Sequence, residues 1–145
     1  MYKTIFTIIT LALLTFSFKA GPKGDGIKFD RREWKDVTKV AKKENKPIFA
    51  MVCASWCSNC ARMRAEVFTN PEVGDYFNSK FVSTMIDSED FKNNIRATNW
   101  GVKAVPTMVF LTPNKKVVYM ATGFKDVNKM MAEAQKALEE MGEGK

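Results

Sequence analysis

Residues 48–54, Ile-Phe-Ala-Met-Val-Cys-Ala, carry no polar side chain at either alternating phase. A strand with one wet face alternates apolar and polar; a strand without that alternation must be covered on both faces. The run therefore predicts a central strand lying between two layers, and the rest of the chain has to supply those layers. Asn45-Lys46-Pro47 marks a break before it, and a cluster of cysteines follows.

The flanking patterns meet that demand. Ile27-Lys28-Phe29 is long enough only for an edge strand. Asp30, with Glu33 three residues later, reads as a capping box, and Trp34, Val37 and Val40/Ala41 recur at helical spacing. Beyond the cysteines, Ala61 to Phe68 predicts a helix with Cys60, Met63 and Val67 on one face; Asn70-Pro71 breaks it and caps a second piece through Phe77. Phe81 to Ile86 reads as a strand ending at Asp87, and Asp90 to Thr98 as a helix stopped near Trp100-Gly101. Thr107 to Leu111 and Lys116 to Ala121, joined by Pro113-Asn114, predict an antiparallel hairpin. Asp126 then caps a helix with an apolar stripe of Val127, Met130/Met131, Ala134, Leu138 and Met141. Most of the nine methionines fall on these stripes as core filler, and Trp34 and Trp100 are assigned to the core. Strand, helix, strand, broken helix, strand, helix, then strand, strand, helix is the order of an α/β fold. Its right-handed crossovers give a central mixed sheet flanked by helices.

With 145 residues, 46% of them hydrophobic, the chain can bury one core and is too short for two ordinary domains. Residues 27–141 are read as that domain, 21–26 as a Gly/Pro-rich linker and 142–145 as a frayed tail. Residues 1–20 differ from the rest. Lys3 precedes an apolar run from Ile5 to Phe18, and Lys19-Ala20-Gly21 closes it, the layout of an export signal. The run is shorter than the roughly 20 residues that span a bilayer comfortably, which favours a cleaved signal over a membrane tether and a periplasmic or secreted location. Without Lys3 and Lys19 the net charge falls from +7 to +5. That surplus is scattered, with no aromatic-interleaved basic stripe, so nucleic-acid binding is not expected.

Cys53, Cys57 and Cys60 are the only cysteines, and there is no histidine. Zinc takes four ligands, so three sulfurs hold no metal, and no cofactor is implied. A purely structural Cys57–Cys60 bridge would close a very short loop and stabilise little. Cys57-Ser58-Asn59-Cys60 instead falls where a buried strand hands over to a helix start. Unpaired N–H groups and the positive end of the helix dipole there stabilise a thiolate at Cys57, with Cys60 one turn in to resolve a mixed disulfide. Cys53 shares an inward strand phase with Phe49 and Met51 and is read as a small buried hydrophobe.

Three stretches resemble the thioredoxin-like family: Trp56-Cys57-Ser58-Asn59-Cys60, Glu66-Val67-Phe68-Thr69-Asn70-Pro71-Glu72-Val73, and Val105-Pro106-Thr107, which opens a strand about 46 residues after the cysteine pair. The likeness covers nearly everything after residue 27 and extends to the secreted and periplasmic members, including the C-terminal domain of the bacterial transmembrane disulfide reductase. It implies that Cys57 is the nucleophile, Cys60 the resolving thiol and partner in a redox-active disulfide, and Pro106 a cis proline beside them. It further implies a substrate groove in which Trp56 forms a wall, the Val105 backbone pairs with an extended peptide, and Thr122-Gly123 line the far side. Two positions depart from the family. Where many members carry a buried aspartate and a lysine that manage the second thiol's proton, this chain has Met51 and Ser83, leaving Glu66 or Asp87 as candidate proton acceptors. The expected activity is thiol-disulfide exchange with protein substrates, in the reductase or isomerase direction, by a monomer that an unidentified electron donor, with a membrane disulfide reductase as one candidate, must re-reduce. A non-catalytic peptide-binding or chaperone module on the same fold is the alternative.

Overall fold

The structure is a computed structural model that describes residues 24–142. The expected export signal, the first part of the linker and residues 143–145 lie outside the described residues. In chain order the elements are β1 (Phe29–Asp30), α1 (Trp34–Glu44), β2 (Ile48–Cys53), α2 (Ser58–Arg62) running into a π-helical segment (Met63–Val67), α3 (Pro71–Lys80), β3 (Val82–Asp87), α4 (Phe91–Trp100), β4 (Thr107–Leu111), β5 (Val117–Thr122) and α5 (Val127–Glu140).

The strands form one mixed sheet in the order β1-β3-β2-β4-β5, four long strands with the two-residue β1 at one edge. β2 runs parallel to β3 and antiparallel to β4, and all six of its residues are buried, as its unbroken apolarity requires. Its two phases feed two cores. Phe49, Met51 and Cys53 face α2, α3 and α5, where Cys60, Met63, Phe77, Met130 and Leu138 pack. Ile48, Ala50 and Val52 face α1 and α4, against Val37, Ala41 and Ala97. The first core is aromatic at its centre, with Phe49 4.8 Å from Phe77 and 5.3 Å from Phe110. Most of the methionines are filler as expected, although Met120 is exposed.

Local chemistry moves several expected boundaries. The edge strand is Phe29–Asp30, not 27–29, because Lys28 N donates instead to Asn78 Oδ1 (2.8 Å) and Ile27 N to Phe68 O (2.8 Å). These bonds strap the segment before β1 across α3, with Asn78 Nδ2 returning a bond to Gly26 O (2.9 Å). The strap lies so close to α3 that a Cβ on Gly74 would land on the Gly26 backbone, so glycine is required there. The Asp30–Glu33 capping box does not form. Asp30 is extended in register with Thr84, its carboxylate is taken by Arg32, and Glu33 stands at the N-cap of α1 without a side-chain cap bond. The Arg32 bond holds the Asp30 carboxyl below its ordinary range. Trp34 and Trp100 are half-buried, meeting edge-to-face at 5.2 Å on the rim of the second core. Asp90 and Asp126 cap α4 and α5 through Asn93 N (2.9 Å) and Lys129 N (2.8 Å).

Candidate redox site

β2 ends at Cys53, and the chain turns through Ala54, Ser55 and Trp56 before α2 begins. Cys57 N donates to Ala54 O (3.3 Å) to close that turn. Cys57 is the N-cap of α2, in an extended conformation, and its Sγ accepts the Cys60 N–H at 3.1 Å. Ser, Thr, Asp or Asn usually fills this position with an oxygen that accepts an orphan helix N–H. Here a sulfur does so. A disulfide joins Cys57 to Cys60, with their Cα atoms 5.2 Å apart.

The helix starts at Ser58 rather than Ala61 and gives way after Arg62 to the π segment, where Phe68 N bonds Met63 O (2.9 Å). The wider turn keeps Cys60, Met63 and Val67 on the buried face and turns Phe68 inward as well, where it meets Phe29 edge-on at 5.2 Å. Both sulfur-bearing residues are buried: Cys57 retains 5% exposure and Cys60 none. The exposed group is Trp56, at 73%.

The Val105–Pro106 peptide is cis and leads directly into β4. Pro106 O accepts the Gly123 N–H at 2.8 Å, and Thr107 Oγ1 meets Thr122 Oγ1 at 2.9 Å, so the end of β5 is fixed beside the proline loop. Gly123 has φ +90°, a conformation that side chains with a Cβ rarely adopt. Trp56 and Val105 also border a cavity of about 200 Å³ that reaches to Val52, Ala97 and Val102, with Thr98 and Lys103 at its margin. The residues expected to form a groove fall on three loops: Trp56 between β2 and α2, Val105 and Pro106 before β4, and Gly123 after β5.

Three contacts that brace the site have no local sequence signal, since each joins residues distant in the chain. The Arg62 guanidinium lies 4.2 Å over the Phe124 ring, tying α2 to the loop after β5. Ser88 N and Oγ both bond Cys53 O, at 2.8 and 3.0 Å. Glu89 accepts Ser55 N at 2.6 Å, which holds its carboxyl below the usual range.

Neither proposed proton acceptor sits at Cys60. The Glu66 carboxylate turns outward to Arg62 at 3.3 Å with both groups more than half exposed. The Asp87 carboxylate accepts Glu89 N at 2.9 Å and borders a cavity of about 250 Å³ with Cys53 and Arg64. Met51 is fully buried in the same cluster as Cys60, and Ser83 is buried with its Oγ unpartnered among the described residues. Cys53 is a free thiol in the inward phase expected for it, and burial pushes its pKa up against a smaller opposing effect of Arg64. Among the described residues no group of three or more histidine, cysteine or acidic side chains is placed to hold a metal.

A family model for the thioredoxin-like domain matches residues 34–138. The chain belongs to the thioredoxin-like family. A structure from Bacteroides thetaiotaomicron, provisionally described as a disulphide-isomerase, is 31% identical, covers 80% of this chain and 96% of its own, and superposes with a TM-score of 0.72. The oxidised C-terminal domain of DsbD from Neisseria meningitidis shares the fold at a TM-score of 0.62 and 19% identity, over 77% of this chain and 99% of that one. Spermatogenesis-associated protein 20 of Rattus norvegicus is 42% identical over 81 residues, 51% of this chain but only 10% of that protein. The chain therefore spans about a tenth of the length of such curated relatives. Family membership and the close cysteine pair are together consistent with a thiol-disulfide oxidoreductase.

Proposed function

We propose that the protein exchanges disulfides with protein partners through Cys57 and Cys60, in the reductase or isomerase direction. The observation that carries this is the placement of Cys57 Sγ at the N-cap of α2, where it accepts the Cys60 N–H. In the reduced protein the same N–H and the helix terminus stabilise a thiolate at that sulfur. The thiolate attacks one sulfur of a partner disulfide; a Cys57–partner bond forms as the partner's S–S bond breaks, and the other partner sulfur leaves as a thiolate. Cys60, on losing its proton, attacks Cys57 Sγ, restores the Cys57–Cys60 disulfide and releases the second partner thiolate. The partner gains two electrons, and an external dithiol donor must return two to the cysteine pair.

The groove reading rests on the loop geometry: Val105 is half-buried beside Trp56, and Gly123 leaves the far side open to a partner backbone. The likeness to the Bacteroides thetaiotaomicron protein supports the isomerase direction. Residues 1–20 support export to the periplasm or beyond. Among the described residues no helix is long and apolar enough to cross a membrane.

The test is a pair of variants. Cys57→Ser abolishes reduction of insulin disulfides, whereas Cys60→Ser accumulates mixed disulfides that separate on non-reducing gels. Equal accumulation by both variants would overturn the assigned roles. Binding of peptides by a Cys57→Ser/Cys60→Ser variant, coupled with no turnover by the wild type, would favour the non-catalytic module instead.

A further inference from the structure

A third cavity, of about 330 Å³, lies past the end of the short β1, along the edge of β3 at Thr84–Ile86 and between the start of α1 and the start of α4. Arg31, Arg32, Lys92 and Arg96 border it, with Trp34 and Asn93. The neighbouring carboxylates are largely committed elsewhere. Asp30 holds Arg32 in a salt bridge, and Asp90 Oδ1 caps α4 through Asn93 N. Glu33, the other acidic residue at the rim, is exposed and makes no cap bond.

Among the described residues, three cations at this rim have no carboxylate within 4 Å: Arg31, Lys92 and Arg96. Arg96 is the informative one. Its side chain is half-buried, its guanidinium lies 5.1 Å from the Trp34 ring centre, and it bonds Asn93 Oδ1. Asp90 and Glu33 act on this guanidinium from a distance, but no carboxylate is in contact with it, and taking it partly out of water is costly. Its five donors exceed what Asn93 accepts. Two helices also begin at this rim, so their positive ends add to the local potential.

We propose that this cavity binds a small soluble ligand through a phosphoryl group, held by the Arg96 fork with Arg31 and Lys92 closing over it. A tetrahedral oxyanion with more than one charge matches cations arriving from two separate elements better than a single carboxylate does. Neither cysteine of the redox pair borders this cavity, so the proposal stands apart from the redox reading.

The probe is pyrophosphate, titrated into the full-length protein at constant ionic strength, with potassium chloride as the control and inorganic phosphate as a weaker anion. Binding is followed by calorimetry and by the Trp34 indole and Arg96 Nε resonances. Saturable binding is expected, with Lys92→Gln and Arg31→Gln each weakening it two- to fivefold and Arg96→Gln more than tenfold. Glu33→Gln should tighten it, because it removes the free carboxylate from the rim. Arg31, Glu33 and Lys92 are exposed, so these three variants keep the fold even if Arg96→Gln does not. Cys57→Ser should bind as the wild type does. Non-saturable shifts matched by chloride, or binding indifferent to Lys92→Gln, Arg31→Gln and Glu33→Gln alike, would overturn the proposal.

Discussion

Met51→Asp places a carboxylate where many thioredoxins carry one, in a site that this chain has made apolar. Met51 is fully buried; its register neighbours are Met85 on β3 and Met108 on β4, so no donor is available from either adjoining strand position. Losing the methionine side chain costs about 2–5 kcal/mol. Ionising the new group costs more, since burial of this kind raises a carboxyl by roughly three pKa units, equivalent to about 4 kcal/mol. The folded-state pKa is raised, so below about pH 4 both states are protonated and the second cost vanishes. As pH rises from there toward about 7, the unfolded chain releases a proton that the folded chain retains, and stability falls. Urea titrations at pH 4 and pH 7.5, each referred to the wild type, should show a destabilisation larger by about 3–4 kcal/mol at the higher pH. Against a typical total of about 5–15 kcal/mol, the variant would be folded at pH 4 and close to its limit at pH 7.5. Where it remains folded, a base now shares a core cluster with Cys60, and resolution of mixed disulfides should accelerate. Equal destabilisation at the two pH values would refute the reasoning, because it would mean that the carboxylate reaches water or a donor at residue 51.

Cys53→Ala should leave insulin reduction intact and lower stability by about 1 kcal/mol, as for a small buried side chain; a large loss of turnover in a folded variant would make Cys53 a third redox group. The fold holds the Cys53 thiol neutral, so the wild type should lose stability as pH rises through and above the ordinary thiol range, and Cys53→Ala should flatten that slope. Ser83→Ala removes a buried hydroxyl that has no partner and should be neutral or stabilising by up to about 1 kcal/mol in thermal melts; a loss of similar size would reveal a bond to Ser83 Oγ in solution.

The apolar phases of residues 48–54 determined the central strand, because a side-chain period of two with no polar position leaves no face for water. Proline after asparagine at 70–71, and aspartate at 90 and 126, determined three helix starts through bonds made within a few residues. The close cysteine pair was legible for the same reason, as a local pattern, while the part given to Val-Pro-Thr came from the family resemblance. Asp30 shows where local reading stops, since strand pairing with β3 and an arginine two residues on took the carboxylate that the capping pattern had assigned to α1. The π segment, the Arg62–Phe124 stack and the strap of Gly26 over Gly74 were decided by tertiary packing. So was the fate of Glu66 and Asp87, whose side chains turn to Arg62 and the Glu89 N–H rather than toward Cys60. Such contacts join residues far apart in the chain or depend on which side of an element meets the core. Sequence spacing carries period and capping, but only the assembled fold sets which partner each acidic group finds.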